Sequence, residues 1–97
     1  MRNYVLVSYD ISDQKRWRKV YKIVKGYGSH IQYSVFLCQL TRQDEVELKQ
    51  MLMDVIHQSH DQVLFARLGT ATSNVITRNV SYIGRDFAPI DIKKLIY

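Results

Sequence analysis

At 97 residues the chain fits one domain, and a domain of this size buries only a little over ~60% of its unfolded surface, so its core is modest and a second copy would enlarge it. A 46% hydrophobic content with 24% charged residues excludes a disordered chain, no apolar run nears the ~20 residues that span a bilayer, and no membrane partner is expected. Fourteen Lys and Arg against nine Asp and Glu leave a net charge of +5, which favours a polyanionic partner.

The first segment, NYVLVSY (Asn3 to Tyr9), is rich in aromatic and β-branched residues and too short for an ordinary helix, so it is expected to be a central strand. It begins too close to a charged residue, and lacks the small-residue cleavage site, for MRNYVLVSYD to be a secretory signal. Ser12 stands where a helix N-cap is expected, and Trp17, Val20, Tyr21 and Val24 recur at helical spacing, giving a helix to about Lys25 that Gly26 and Gly28 end. Lys15, Arg16, Arg18, Lys19, Lys22 and Lys25 fall within this helix with no acid among them, largely off the apolar stripe. Such a helix repels itself unless phosphates supply the missing charge. The alternative is a solvated face that keeps the chain soluble.

HIQYSVFLCQL (His30 to Leu40) alternates as an extended segment, either one long strand or two with a bulge or sharp turn near Tyr33 and Ser34. Its Cys38 is the only cysteine, which rules out an internal disulfide, fits a reducing cytoplasm and reads as a small buried apolar side chain. Thr41 and Asp44 form a capping box opening a second helix, with Leu48, Leu52, Val55 and Ile56 as its buried seam and an end near His57. QVLFARLG (Gln62 to Gly69) is another strand, TATSNVITRN a polar connection, and VSYIG a last short strand. The terminal RDFAPIDIKKLIY carries Ile90, Ile92, Leu95 and Ile96; it is too apolar for an ordinary loose end and is expected to lie across a second copy of the chain, donating a strand to the partner's sheet edge.

The order therefore fits an α+β, ferredoxin-like βαββαβ unit with an extra C-terminal strand exchanged in a homodimer, a single domain over 1–97 with its core in about 1–69 and a dimer or partner-binding extension in about 75–97. Both helices cover one sheet face, and the other is free to meet a twin.

Asp10 is the sharpest chemical candidate, since it ends a central strand where side chains leave a rigid frame. Either it terminates the strand and hydrogen-bonds the next helix, or it holds Mg²⁺. Mg²⁺ takes few carboxylates, keeps several waters and binds phosphate oxygens, so one Asp per chain serves only if a twofold axis joins two. Asp13 complements the helix dipole. His57 and His60, three apart at a helix end, lack further metal ligands, whereas His30 can meet a phosphate when protonated. Tyr4, Tyr9, Tyr21, Tyr27 and Tyr33 occupy positions that a core or dimer interface would use, and Ser34 has no histidine partner at a recognisable spacing.

The joined stretch VSYDISDQKRWRKVYKIVKGYGSHIQYSVFLCQL resembles the CRISPR-associated Cas-two family, whose members carry a YDI(S/T)D strand end, a basic first helix closing with glycine and a (I/V)Q.SVF strand. The match is close over about Tyr4 to Thr41. The resemblance implies a ferredoxin-like homodimer with exchanged C-terminal strands, and Asp10 at the dimer groove as the Mg²⁺ ligand. It also implies assembly with the CRISPR integrase, the Cas-one protein, to capture and insert spacer DNA. Some members look like metal-dependent endonucleases on RNA or double-stranded DNA. A scaffold would need Lys15, Arg16, Arg18, Lys19 and Lys22 for duplex phosphates; a nuclease would need both copies of Asp10, with Ser34 and Phe36 shaping the catalytic site. Trp17 interrupts the basic run, and His30 stands where the family often has arginine. A ferredoxin-like ribonuclease toxin and a small-ligand regulatory dimer are the alternatives on the same architecture.

Overall fold

The computed structural model describes residues 1–72 and 74–85. The expected tail strand, with Ile90, Ile92, Leu95 and Ile96, lies outside the described residues. Within them run β1 (Asn3–Asp10), α1 (Gln14–Lys25), β2 (Gly28–Gln32), β3 (Val35–Leu40), α2 (Arg42–Met53), β4 (Gln62–Thr70) and α3 (Val75–Asn79). The sheet order is β2-β3-β1-β4, with β1 antiparallel to both β3 and β4 and β2 antiparallel to β3. This is the ferredoxin-like arrangement, with β1 central as its apolar sequence requires.

Alternation along β1 sorts the molecule into two faces. Val5, Val7 and Tyr9 join Phe36, Cys38 and Leu40 beneath Val20 and Val24 of α1 and Leu48 and Leu52 of α2, all buried. Cys38 is an apolar core residue, and burial pushes its thiol up to about 12. On the opposite face, Tyr4 and Leu37 are buried under Val75 and Ile76 of α3, with Leu6, Ile31 and Leu68 packed around them. That face is therefore not wholly free. The connection TATSNVITRN, expected to be irregular, contains a helical turn, because the two adjacent apolar residues Val75 and Ile76 have a sheet patch to cover. VSYIG forms no strand among the described residues. Further along the same face lie half-buried Ser8 and its register partner Val35, with exposed Leu64 on its other side and exposed Asp10 opposite Gln62.

The long extended segment is two strands joined by a two-residue turn at Tyr33–Ser34, and Tyr9 N–H donates to the Ser34 carbonyl at 3.0 Å, tying the turn to the end of β1. Gly28 begins β2 so close to β3 that a Cβ there would collide with Cys38 Sγ and the Leu37 carbonyl. The α2 capping box forms as expected, Thr41 and Asp44 exchanging hydrogen bonds of 3.0 Å each, but the helix stops at Met53, short of His57. The N-cap of α1 is Asp13, one residue later than expected; its carboxylate accepts from Arg16 N–H at 3.0 Å.

Ser12 is occupied elsewhere. Its N–H and hydroxyl donate to Asp61, whose side chain is inaccessible to solvent and also accepts from Arg16 Nε at 2.7 Å and from His57 N–H at 2.8 Å. This one carboxylate fastens the start of α1 to the loop entering β4. The Arg16 guanidinium, followed by the backbone donors, holds the Asp61 carboxyl far below the usual range.

Gly28→Ala is expected to cost about 2–4 kcal/mol in urea unfolding, since the obstructing atoms include backbone. Asp61→Asn should cost a similar amount, about 2–4 kcal/mol. Because the folded carboxyl is depressed, its contribution is complete above about pH 5 and is lost as pH falls towards the folded value, so the variant's unfolding midpoint should vary less with acid pH than that of the unmodified chain. An equally steep acid dependence in the variant would exclude Asp61 as the source.

Candidate nucleic-acid interface

Asp10 ends β1 and is exposed. Its carboxylate has no hydrogen-bond or ion-pair partner among the described residues, so it does not cap the helix that follows. Other acids of the fold are engaged: Asp13 and Asp61 near Asp10 as the α1 cap and with Arg16, and, towards the far end of β1, Asp44 in the α2 capping box and with Arg2 at 2.9 Å and Glu45 with Lys49 at 2.9 Å. Hydrogen bonds hold the Asp44 and Glu45 carboxyls below the usual range, chiefly those to Thr41 and Lys49 respectively. Asp10 is thus a strand-end carboxylate left available for a ligand.

Beside it lies an open cleft of about 310 Å³, lined by Asp10, Gln14, Trp17, Tyr33 and Ser34, with Tyr9 and Ile11 behind. Three elements meet there because the β2–β3 turn is hydrogen-bonded to β1 and α1 starts just beyond it. Ser34 is held by Trp17, whose indole N–H donates to Ser34 Oγ at 3.4 Å. Phe36 is wholly buried and stacks at 6.3 Å on Tyr9, so it supports the cleft from within the core and cannot touch a substrate. Tyr9 is also buried, and its hydroxyl has no hydrogen-bond partner among the described residues. Burial, with Tyr21 and Tyr33 adding to it, pushes that hydroxyl up to about 12.

The cations of α1 divide into two groups. Lys15, Arg18, Lys19 and Lys22 are exposed and make no ion pair among the described residues, while Lys25 sits 5.8 Å from the Tyr21 ring centroid. Arg16 instead belongs to the Asp61 clamp and is largely committed there. His30 is exposed on β2, with its ring packed on Phe36 and Tyr21 and Nε2 3.1 Å from the Tyr33 carbonyl, which fixes Nε2 as the donor. Spacing along the sequence did not reveal Gln14, Tyr33 or Asp61 as members of this region. Asp61 lies 45 residues from Arg16, and no local pattern announces their pairing. Tyr33, placed by pattern in a core or interface, is 75% exposed at the turn.

A single chain supplies one free carboxylate here, and no group of three or more His, Cys, Asp or Glu side chains is assembled among the described residues. The His57 and His60 rings pack at 4.2 Å without further ligands among those residues. No described helix is long and apolar enough to cross a membrane.

A profile of the family described as CRISPR associated protein Cas2 matches residues 1–75. A protein of Geobacter sulfurreducens named CRISPR-associated endoribonuclease Cas2 is 37% identical over 90 residues, covering 93% of each chain. One of the proteins so named in Thermodesulfovibrio yellowstonii is 49% identical over 63 residues, covering 65% of this chain and 69% of its own. The crystal structure of Streptococcus pyogenes Cas2 superposes with a TM-score of 0.72 at 34% identity, covering 84% of this chain and 99% of that one. Matched through its first three quarters by the profile, and sharing its sheet and helix order with a solved relative, the chain belongs to the Cas2 family of CRISPR-associated proteins.

Proposed function

We propose that this chain acts as a homodimer on nucleic acid in CRISPR adaptation, bridging the CRISPR integrase and spacer duplex DNA in the cytoplasm, with Mg²⁺-dependent phosphodiester cleavage as its own activity. The observation that carries the proposal is the charge arrangement: among the described residues, Asp10 at the end of the central strand is unpaired, and the helix that follows carries Lys15, Arg18, Lys19 and Lys22 with no counter-charge. Relatives named endoribonucleases support cleavage, and RNA as well as duplex DNA is a candidate substrate.

Asp10 offers hard oxygen donors suited to Mg²⁺, which fills its shell with waters and phosphate oxygens, and a second copy of Asp10 across a twofold axis would complete the protein's share. When bound, such an ion neutralises phosphate charge and activates water. The chain's own residues do the remainder. The cations of α1 draw the phosphate backbone towards the cleft, and Ser34, fixed by Trp17, presents a hydroxyl beside it. Asp10 lies on the sheet face opposite the two long helices, where half-buried Ser8 and Val35 and exposed Leu64 offer a surface to a twin.

Asp10→Asn is expected to lower Mg²⁺-dependent cleavage by about 10²-fold or more while the dimer persists in light scattering. Cleavage at an undiminished rate would remove Asp10 from the chemistry. Neutralising Arg18 and Lys22 together should flatten the dependence of duplex affinity on salt, by about one unit of logarithmic slope for each phosphate that is no longer neutralised. An unchanged slope would exclude this helix face as the surface that holds the duplex.

A further inference from the structure

The cleft beside Asp10 is bounded by rings in series. Tyr33 stacks on Trp17 with centroids 5.1 Å apart and planes at 25°, and Trp17 stacks on Tyr21 at 5.5 Å and 18°. Lys25 adds a cation over Tyr21, 5.8 Å from its centroid. The series ends at Tyr33, one of whose faces lies on Trp17 while the residue stays 75% exposed. A tyrosine held by a stacked neighbour loses little further freedom when a planar ligand lies on it.

We propose that Tyr33, backed by Trp17, is a stacking platform for an unpaired nucleobase, and that this chain therefore engages single-stranded or extruded nucleotides beside Asp10 in addition to duplex phosphates. The inference rests on the nucleic-acid role proposed above and adds the state of the strand. The occupant follows from the surroundings: the ring that backs the platform stands on α1, whose exposed Lys15, Arg18, Lys19 and Lys22, without an ion pair among the described residues, complement a phosphate chain, and Gln14 in the same cleft offers an amide for a base edge. Bases within a duplex are stacked on one another and present no open face, so the platform serves only a base outside the stack.

Trp17 is the only tryptophan, so its fluorescence reports on the platform directly. Full-length protein in EDTA is titrated with a short oligodeoxyuridylate, a matching oligouridylate and a blunt duplex. Either single strand should change Trp17 emission, and the tighter of the two identifies the sugar preferred. Tyr33→Ala should weaken single-strand binding by roughly 5- to 150-fold relative to duplex binding, whereas Tyr33→Phe should preserve it, since the ring and not the hydroxyl is used. Unchanged circular dichroism and dimer mass keep the comparison valid; a Tyr33→Ala protein that loses its dimer would assign Tyr33 to the interface and overturn the proposal. Equal weakening for single strand and duplex, or none, would also overturn it. If duplex binds with the expected salt dependence and only the Tyr33 effect is missing, the platform alone fails; if no nucleic acid binds, the wider function fails with it.

Discussion

The alternation of β1 governs the rest of the structure. Hydrogen-bonded on both edges, by β3 and β4, this strand cannot slip by one residue without moving Val5, Val7 and Tyr9 out of the core and Leu6, Ser8 and Asp10 into it. Burial of the first set under α1 and α2 therefore holds the second set on the other face. Asp10 owes its position to apolar residues that it does not touch.

Electrostatics follow from what the fold does with its acids. Asp13 and Asp44 serve helix caps, Glu45 serves Lys49 and Arg67, and Asp61 serves Arg16, Ser12 and His57. These local uses leave most of the α1 cations uncompensated among the described residues of a chain of net charge +5, and they leave Asp10, on the lining of the cleft, as a carboxylate without a partner there. The fold thus leaves an exposed strand-end carboxylate and a cationic helix surface on consecutive elements, β1 and α1.

The clamp at Asp61 and the aromatic series act on the same helix from different sides. Asp61 fixes where α1 begins, and Trp17, one residue after the clamped Arg16, is thereby held where it can bond Ser34 and carry Tyr33. The β2–β3 turn is also bonded to β1 through Tyr9 and Ser34. Cleft shape consequently depends on bonds between segments far apart in sequence.

Periodicity alone was enough to identify β1, the apolar stripe of α1, the capping box of α2 with Leu48 and Leu52 of its seam, and β4, because each is written in neighbouring residues at spacings of two or of three and four, whereas Val55 and Ile56, expected on the same seam, pack against the core from beyond the end of α2. The basic run and the strand-end acid were legible for the same reason, as was the family they resemble. Tertiary structure alone decided that HIQYSVFLCQL bends into a hairpin, that Asp13 and not Ser12 caps α1, and that Val75 and Ile76 coil into a turn over Tyr4 and Leu37. It also decided that Arg16 belongs to a structural clamp and Phe36 to the core, while Tyr33 stands in the open. In each case the deciding partner is distant along the chain, and a side chain's available hydrogen bonds and rings depend on which surfaces folding brings beside it.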